Sequence, residues 1–217
     1  MDTGSALFKT GFIKLKSPGG RRLTNEVYLY LTWMDVQRLS EDLADQIAQS
    51  GFTPDIIVAV SRGGFDPARI LSDELNIRSL ASLQVIYYAG VNERSDEPQV
   101  KYPLNADIAG LNVLVVDDVA DSGNSLRVVK EYVERLGPRE VKIATLHYKP
   151  WSNFKPDFYA ESADKWIIYP WEPRESIEGI REKLLSEGVP EDELAVKLIE
   201  IGFTSKQVRR FLGLKHV

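Results

Sequence analysis

The sequence predicts an α/β fold with a mostly parallel central sheet and helices on both faces. Three observations predict it. Two short continuous apolar runs, Ile56–Val60 and Val113–Val116, have the composition of strands covered on both sides. Each is followed by a loop containing small residues, then by a segment with apolar residues at helical spacing. The repeated order strand, loop, helix favours parallel pairing.

Taken in chain order, residues 1–30 read as an N-terminal extension, with Phe12–Leu15 and Val27–Leu31 as an edge hairpin around the turn Pro18-Gly19-Gly20. Residues 31–173 read as the α/β domain with a small hood. Residues 174–217 read as a helical extension. Thr32 caps a first helix, with Asp35 at its third position and Val36, Leu39, Leu43 and Ile47 on one side; Gly51 ends it. After the strand 56–60, Ser61–Gly64 is a loop, and Asp66-Pro67 opens a second helix. Residues 79–88 read as a strand. Residues 89–107, polar and interrupted by Gly90, Pro98 and Pro103, read as a long functional connection.

The strand 113–116 leads through Asp117–Asn124 into a helix from about Ser125 to Leu136, stopped by Gly137-Pro138. Residues 141–146 form the next strand. Apolar spacing then predicts three C-terminal helices: one over 177–185 closed by Gly188, one opened by Pro190, and one capped by Thr204.

The 217 residues suffice for one such domain with an appendage. No apolar run reaches the ~20 residues that span a bilayer, and the first residues lack a signal-peptide core. A cytoplasmic protein without membrane contact is expected. The chain has no cysteine, which excludes disulfides, thiolate metal sites and cysteine nucleophiles. Its formal net charge of −5 gives no support for nucleic acid as a partner. The two histidines, His147 and His216, are too few for a multi-histidine metal site.

Chemistry concentrates in Val113–Ser125. An apolar strand delivers two adjacent acids, Asp117 and Asp118; a loop of small residues then enters a helix. Ligands of open α/β sheets bind beyond the carboxyl ends of strands. Small residues let main-chain N–H groups close on a phosphate, and the helix N-terminus adds partial positive charge. The hydroxyls of Ser122 and Ser125 can donate. The two carboxylates can accept from sugar hydroxyls or hold magnesium, directly or through water. A second loop, Ser61-Arg62-Gly63-Gly64, has small residues and a guanidinium suited to a leaving group that gains charge. A third pair of segments is His147-Tyr148-Lys149-Pro150 and Trp166-Ile167-Ile168-Tyr169-Pro170-Trp171-Glu172.

In this order, the three resemble the motifs of type I phosphoribosyltransferases. The last pair is similar to 6-oxopurine phosphoribosyltransferases, especially the short xanthine-guanine type. The resemblance covers about residues 32–172 and implies that family's fold. It implies a donor, 5-phosphoribosyl 1-pyrophosphate (PRPP), with Mg2+ as cofactor. Asp117 and Asp118 would hold the ribose hydroxyls or the metal, and Ala120, Asp121, Ser122, Gly123, Asn124 and Ser125 the 5-phosphate. Ser61, Arg62, Gly63 and Gly64 would hold pyrophosphate. Lys149 would donate to the purine O6, Trp166 would stack on the base, and the Ile167 main chain would meet its C2 side. Asp121 and Arg62 are the expected catalytic residues, with Asp121 as general base for the N7 proton. The expected reaction joins PRPP to N9 of guanine, hypoxanthine or xanthine in purine salvage, releasing a nucleoside monophosphate and pyrophosphate. A homodimer or homotetramer is expected. The alternative is a non-catalytic PRPP or nucleotide sensor of the same fold, which would not need Lys149 with Trp166.

Overall fold

The computed structural model describes residues 27–89 and 94–214, and of 88, 89 and 94–97 the backbone. In chain order the elements are β1 (Tyr28–Tyr30), α1 (Trp33–Gln49), β2 (Ile56–Ser61), α2 (Phe65–Glu74), β3 (Leu80–Ala89), β4 (Arg94–Tyr102), β5 (Asn112–Ala120), α3 (Asn124–Glu134), β6 (Glu140–Tyr148), β7 (Phe158–Ser162), β8 (Trp166–Ile168), α4 (Pro173–Ser186), α5 (Glu191–Ile201) and α6 (Ser205–Leu212). They form two compact units, Thr32–Asp164 and the segment Met1–Leu31 with Lys165–Val217.

The Thr32–Asp164 unit is built on a six-stranded sheet ordered β4-β3-β2-β5-β6-β7. Every neighbouring pair is parallel except β3 and β4. Val58, Val60, Val113, Val115 and Ile143 pack with Leu126, Val129 and Val133 of α3 on one face. Strand alternation turns Ile57, Ala59, Leu114 and Val116, all buried, to the opposite face. There α2 packs on β2 and β5, and α1 packs on α2, β6 and β7. Both faces are therefore covered, which is why β2 and β5 read as unbroken apolar runs.

The caps explain where the helices begin. Thr32 Oγ1 accepts from Asp35 N–H at 3.3 Å, and Asp35 Oδ2 accepts from Thr32 N–H at 2.8 Å, a reciprocal capping box. The second helix starts earlier than Asp66-Pro67. Its N-cap is Gly64, because Ala68 N–H already reaches Gly64 O at 3.0 Å. Pro67 lies in the first turn, where its missing N–H costs nothing.

Three strands depart from the sequence expectation. Residues 94–102, expected within a long connection, form β4 antiparallel to β3. Pro98, opposite Tyr87, is tolerated because β4 is an edge strand. β5 continues through the acids to Ala120, since its ladder with β6 includes Asp117 with Thr145 and Ala120 with Tyr148. β7, which no alternation announced, pairs parallel to β6.

In the other unit, β1 pairs parallel with β8, Tyr28 opposite Trp166 and Tyr30 opposite Ile168. Val27–Leu31 thus has a parallel partner in β8; Phe12–Leu15, the other arm of the expected hairpin, lies outside the described residues. The sequence had placed Trp166–Ile168 with the α/β domain, whereas this pairing puts it with the C-terminal helices. Tyr28, Ile168, Ile177, Ile180, Leu184, Leu194, Leu198, Phe203 and Val208 form that unit's core. Thr204 caps α6 by a second capping box with Gln207.

Candidate active site

The phosphate-type loop follows from the meeting of β5 and α3. Gly123 is the N-cap of α3 with φ of 86°, a left-handed conformation that a side chain disfavours. A Cβ there would also come within 2.6 Å of Asn153 Oδ1 and Phe154 N. The first-turn N–H groups of α3 have no intrahelical acceptor and carry the positive end of its dipole. Asp121 and Ser122 are exposed, Asn124 and Ser125 half-buried, and Ala120 buried. Asn124 N–H points to Ser122 Oγ at 3.4 Å, and the Ser125 hydroxyl donates to Tyr87 OH at 3.4 Å.

The two acids sit on β5 rather than beyond it. Burial, then the neighbouring charge of Asp118, holds the Asp117 carboxyl well above the usual carboxylate range; the Asp118 N–H bond to Asp117 Oδ1, 3.0 Å, opposes this in part. The Ser61–Gly64 loop meets these acids. A Cβ on Gly63 would strike the Asp118 carboxylate, and one on Gly64 would strike the Val116 and Val60 main chain. The Ser61–Arg62 peptide is cis, and Arg62 is exposed.

A third segment, 149–154, completes this end of the sheet, and sequence reading singled out only Lys149 of it. The ladder of β5 with β6 ends at Ala120 and Tyr148, which sets the following residues side by side. Lys149 N–H donates to Ala120 O at 3.0 Å, and Asn153 N–H to Ser122 O at 3.0 Å. Asn153 Nδ2 donates to Asn124 Oδ1 at 2.8 Å, and Trp151 Nε1 to Asp121 Oδ1 at 3.1 Å. The Lys149 side chain is buried. Burial lowers its pKa from the ordinary 10.5, while Asp121 and Asp164 pull the other way. His147, fully buried, is held neutral: burial, then the charges of Lys149 and Arg38, push it down to about 4.

The sequence-derived residues thus divide. Ser61–Gly64, Asp117, Asp118, Ala120–Ser125 and Lys149 belong to the Thr32–Asp164 unit, at or just beyond the carboxyl ends of β2, β5 and β6. Trp166 and Ile167 lie on β8 in the other unit, Trp166 54% exposed and Ile167 buried. Within 89–107, the Lys101 ammonium lies 5.2 Å from the Tyr102 ring centroid.

The pattern of the family described as phosphoribosyl transferase domain matches residues 29–176. The chain belongs to this family. It is 36% identical over 147 residues to a xanthine-guanine phosphoribosyltransferase of Gluconobacter oxydans, covering 67% of this chain and 84% of that relative. A crystal structure of a purine phosphoribosyltransferase from Pyrococcus horikoshii superposes with a TM-score of 0.61 at 40% identity, over 67% of this chain and 93% of the other. A Helicobacter pylori xanthine-guanine-hypoxanthine phosphoribosyltransferase superposes with a TM-score of 0.60 at 25% identity, over 71% and 99%. The enzyme accordingly has the mostly parallel α/β architecture that its motifs implied.

Among the described residues, no group of three or more His, Cys, Asp and Glu side chains could hold a metal ion. Asp117 and Asp118 offer adjacent carboxylates whose mutual repulsion a cation would relieve. That donor set fits magnesium, which keeps waters and binds through one or two carboxylates plus substrate phosphates. No helix among the described residues is long and apolar enough to cross a membrane.

Proposed function

We propose that the enzyme transfers the 5-phosphoribosyl group of PRPP to N9 of a 6-oxopurine, with guanine, hypoxanthine and xanthine as the candidate bases. The observation that carries this reading is the Lys149 N–H bond to Ala120 O, 3.0 Å, which fastens a buried lysine to the start of the Ala120–Ser125 loop. A donor for a purine O6 thereby hangs beside a cradle for a sugar phosphate. The names of the relatives support the same substrate class.

In this reading the loop amides and the hydroxyls of Ser122 and Ser125 hold the 5-phosphate. Asp117 and Asp118 accept from the ribose hydroxyls. The Ser61–Gly64 loop receives the pyrophosphate, and the Arg62 guanidinium stabilises charge growing on it. Magnesium, held by Asp117 and Asp118 directly or through water, supplies further charge neutralisation when bound with the donor. The bond from the anomeric carbon to pyrophosphate oxygen breaks, its electron pair leaving with pyrophosphate. The N9 lone pair forms the new bond to that carbon, and Asp121 takes the N7 proton. Lys149 donates to O6. Adenine presents an amino group there, donor against donor, and is rejected. Trp166 and Ile167 keep the stacking and C2-side roles that the resemblance gives them. Cytoplasmic location and a homodimer or homotetramer complete the reading, the latter open to light scattering.

The test mixes enzyme, Mg2+ and PRPP with each base. Nucleotide from guanine, hypoxanthine or xanthine but not adenine is expected. Tight PRPP binding with no nucleotide from any base would instead select the non-catalytic sensor, which no observation here favours. Asp121→Asn should lower turnover by about 100-fold or more while PRPP binding persists. Unchanged turnover would remove Asp121 from its role.

A further inference from the structure

The segment after β6 runs alongside the phosphate-type loop. Main-chain bonds from Lys149 and Asn153 grip Ala120 and Ser122, on either side of Asp121. The Asn153 side chain grips Asn124. Between these anchors the Trp151 indole N–H donates to Asp121 Oδ1 at 3.1 Å. This is the one hydrogen bond to the Asp121 carboxylate among the described residues.

Core packing does not account for Trp151, whose surface is 58% exposed. Its chemistry does suit the carboxylate. Asp121 is an exposed loop side chain, and such a group loses rotamer freedom whenever it must act from one position. An N–H fixed on one carboxylate oxygen restricts that freedom beforehand and leaves the second oxygen as an acceptor. An indole has one donor and no acceptor, so it cannot receive the proton that the carboxylate collects. Asparagine, serine or histidine in its place would offer a competing acceptor. The ring has a second neighbour: the Lys149 ammonium lies 5.3 Å from its centroid, within the range of a cation–π contact. One rigid side chain thus adjoins both polar groups that the purine would meet in the Thr32–Asp164 unit.

We infer that Trp151 is a positioning residue for the transfer, holding Asp121 where the purine N7 proton arrives while flanking the lysine that reads O6. The inference rests on the role proposed above for Asp121. It acts through Asp121 and Lys149, with no contact to the reacting atoms required.

The test is a double-mutant cycle on the full chain, with kcat and the KM of each substrate measured. Trp151→Phe keeps a ring beside Lys149 and removes the N–H. It should lower kcat about tenfold, or about 1.4 kcal/mol, with the KM for PRPP and the Tm unchanged. In an Asp121→Asn background the same substitution should cost nothing further, because the group it positions is gone. A residue that merely supported the loop would lower the Tm or raise the PRPP KM, and its effect would add to that of Asp121→Asn. Wild-type kcat in Trp151→Phe, or additive losses, overturns the inference and leaves the function standing. Full turnover in Asp121→Asn alone overturns both. Independently of any Trp151 variant, the indole 15N–1H resonance of Trp151 should move on Asp121→Asn, and a fixed resonance would also refute it.

Discussion

The Asp118 carboxylate occupies the space that a methyl group on Gly63 would need. The pyrophosphate-type loop and the acid strand are therefore in van der Waals contact through a residue with no side chain. Gly63→Ala forces one of them to move. The expected result is a rise of about tenfold or more in the KM for PRPP, or about 1.4 kcal/mol, with the circular dichroism spectrum retained. An unchanged PRPP KM would show that the two segments need not touch.

Gly123 and Gly137 form a controlled pair. Both have positive φ, 86° and 76°, and an alanine at either carries a left-handed cost of roughly 1–2 kcal/mol. Only Gly123 also has neighbours within reach, Asn153 and Phe154 at 2.6 Å; nothing lies within 4 Å of a Cβ at Gly137. Gly123→Ala should lower the Tm more than Gly137→Ala. It should also weaken binding of the nucleoside monophosphate product, which Gly137→Ala should leave unchanged. Equal losses would mean that residues 153 and 154 yield freely.

The task proposed for Lys149 sets it apart from the loops proposed to bind the donor. Lys149→Met removes the ammonium and retains much of the stem. The KM for guanine and hypoxanthine should rise at least about tenfold, the loss expected when a hydrogen bond to a charged group is removed, with PRPP affinity maintained. Equal kinetics would take the lysine out of base recognition.

His147 makes stability depend on acidity. Its folded pKa of about 4 lies below the ordinary 6.5, so between these values the unfolded chain binds a proton that the folded chain refuses. Stability is complete above pH 6.5, falls as the pH drops toward 4, and levels off below. The gap corresponds to roughly 3 kcal/mol at most. Urea unfolding at pH 7 and pH 4.5 should show the wild type losing more stability than His147→Gln; parallel losses would contradict the assignment.

The strand, loop and helix around Asp117–Ser125 were legible because their signal is local. Apolar continuity marks a strand covered on both faces, and Gly123 marks a turn. β4 was hidden because an edge strand need not be apolar, and its Pro98 reads as a breaker when the open edge is unknown. The 149–153 clasp was hidden for another reason. Trp151 and Asp121 are 30 residues apart, and nothing in either neighbourhood announces the other. Their meeting follows from the β5–β6 register, which pairs Ala120 with Tyr148 and becomes visible only once both strands are placed side by side. Trp166 illustrates a third case: its motif stood out in the sequence, while its pairing with Tyr28 depended on residues before Thr32 that carried no motif.

The lysine proposed to read the base is tied to the Ala120–Ser125 loop through its peptide nitrogen. Any amino acid except proline preserves that tie. On the proposed reading, evolution or a protein engineer could therefore exchange the head group at position 149 to alter which nucleobase is accepted while that main-chain bond to Ala120 stays in place. Selectivity and donor capture would then rest on separate atoms of one residue.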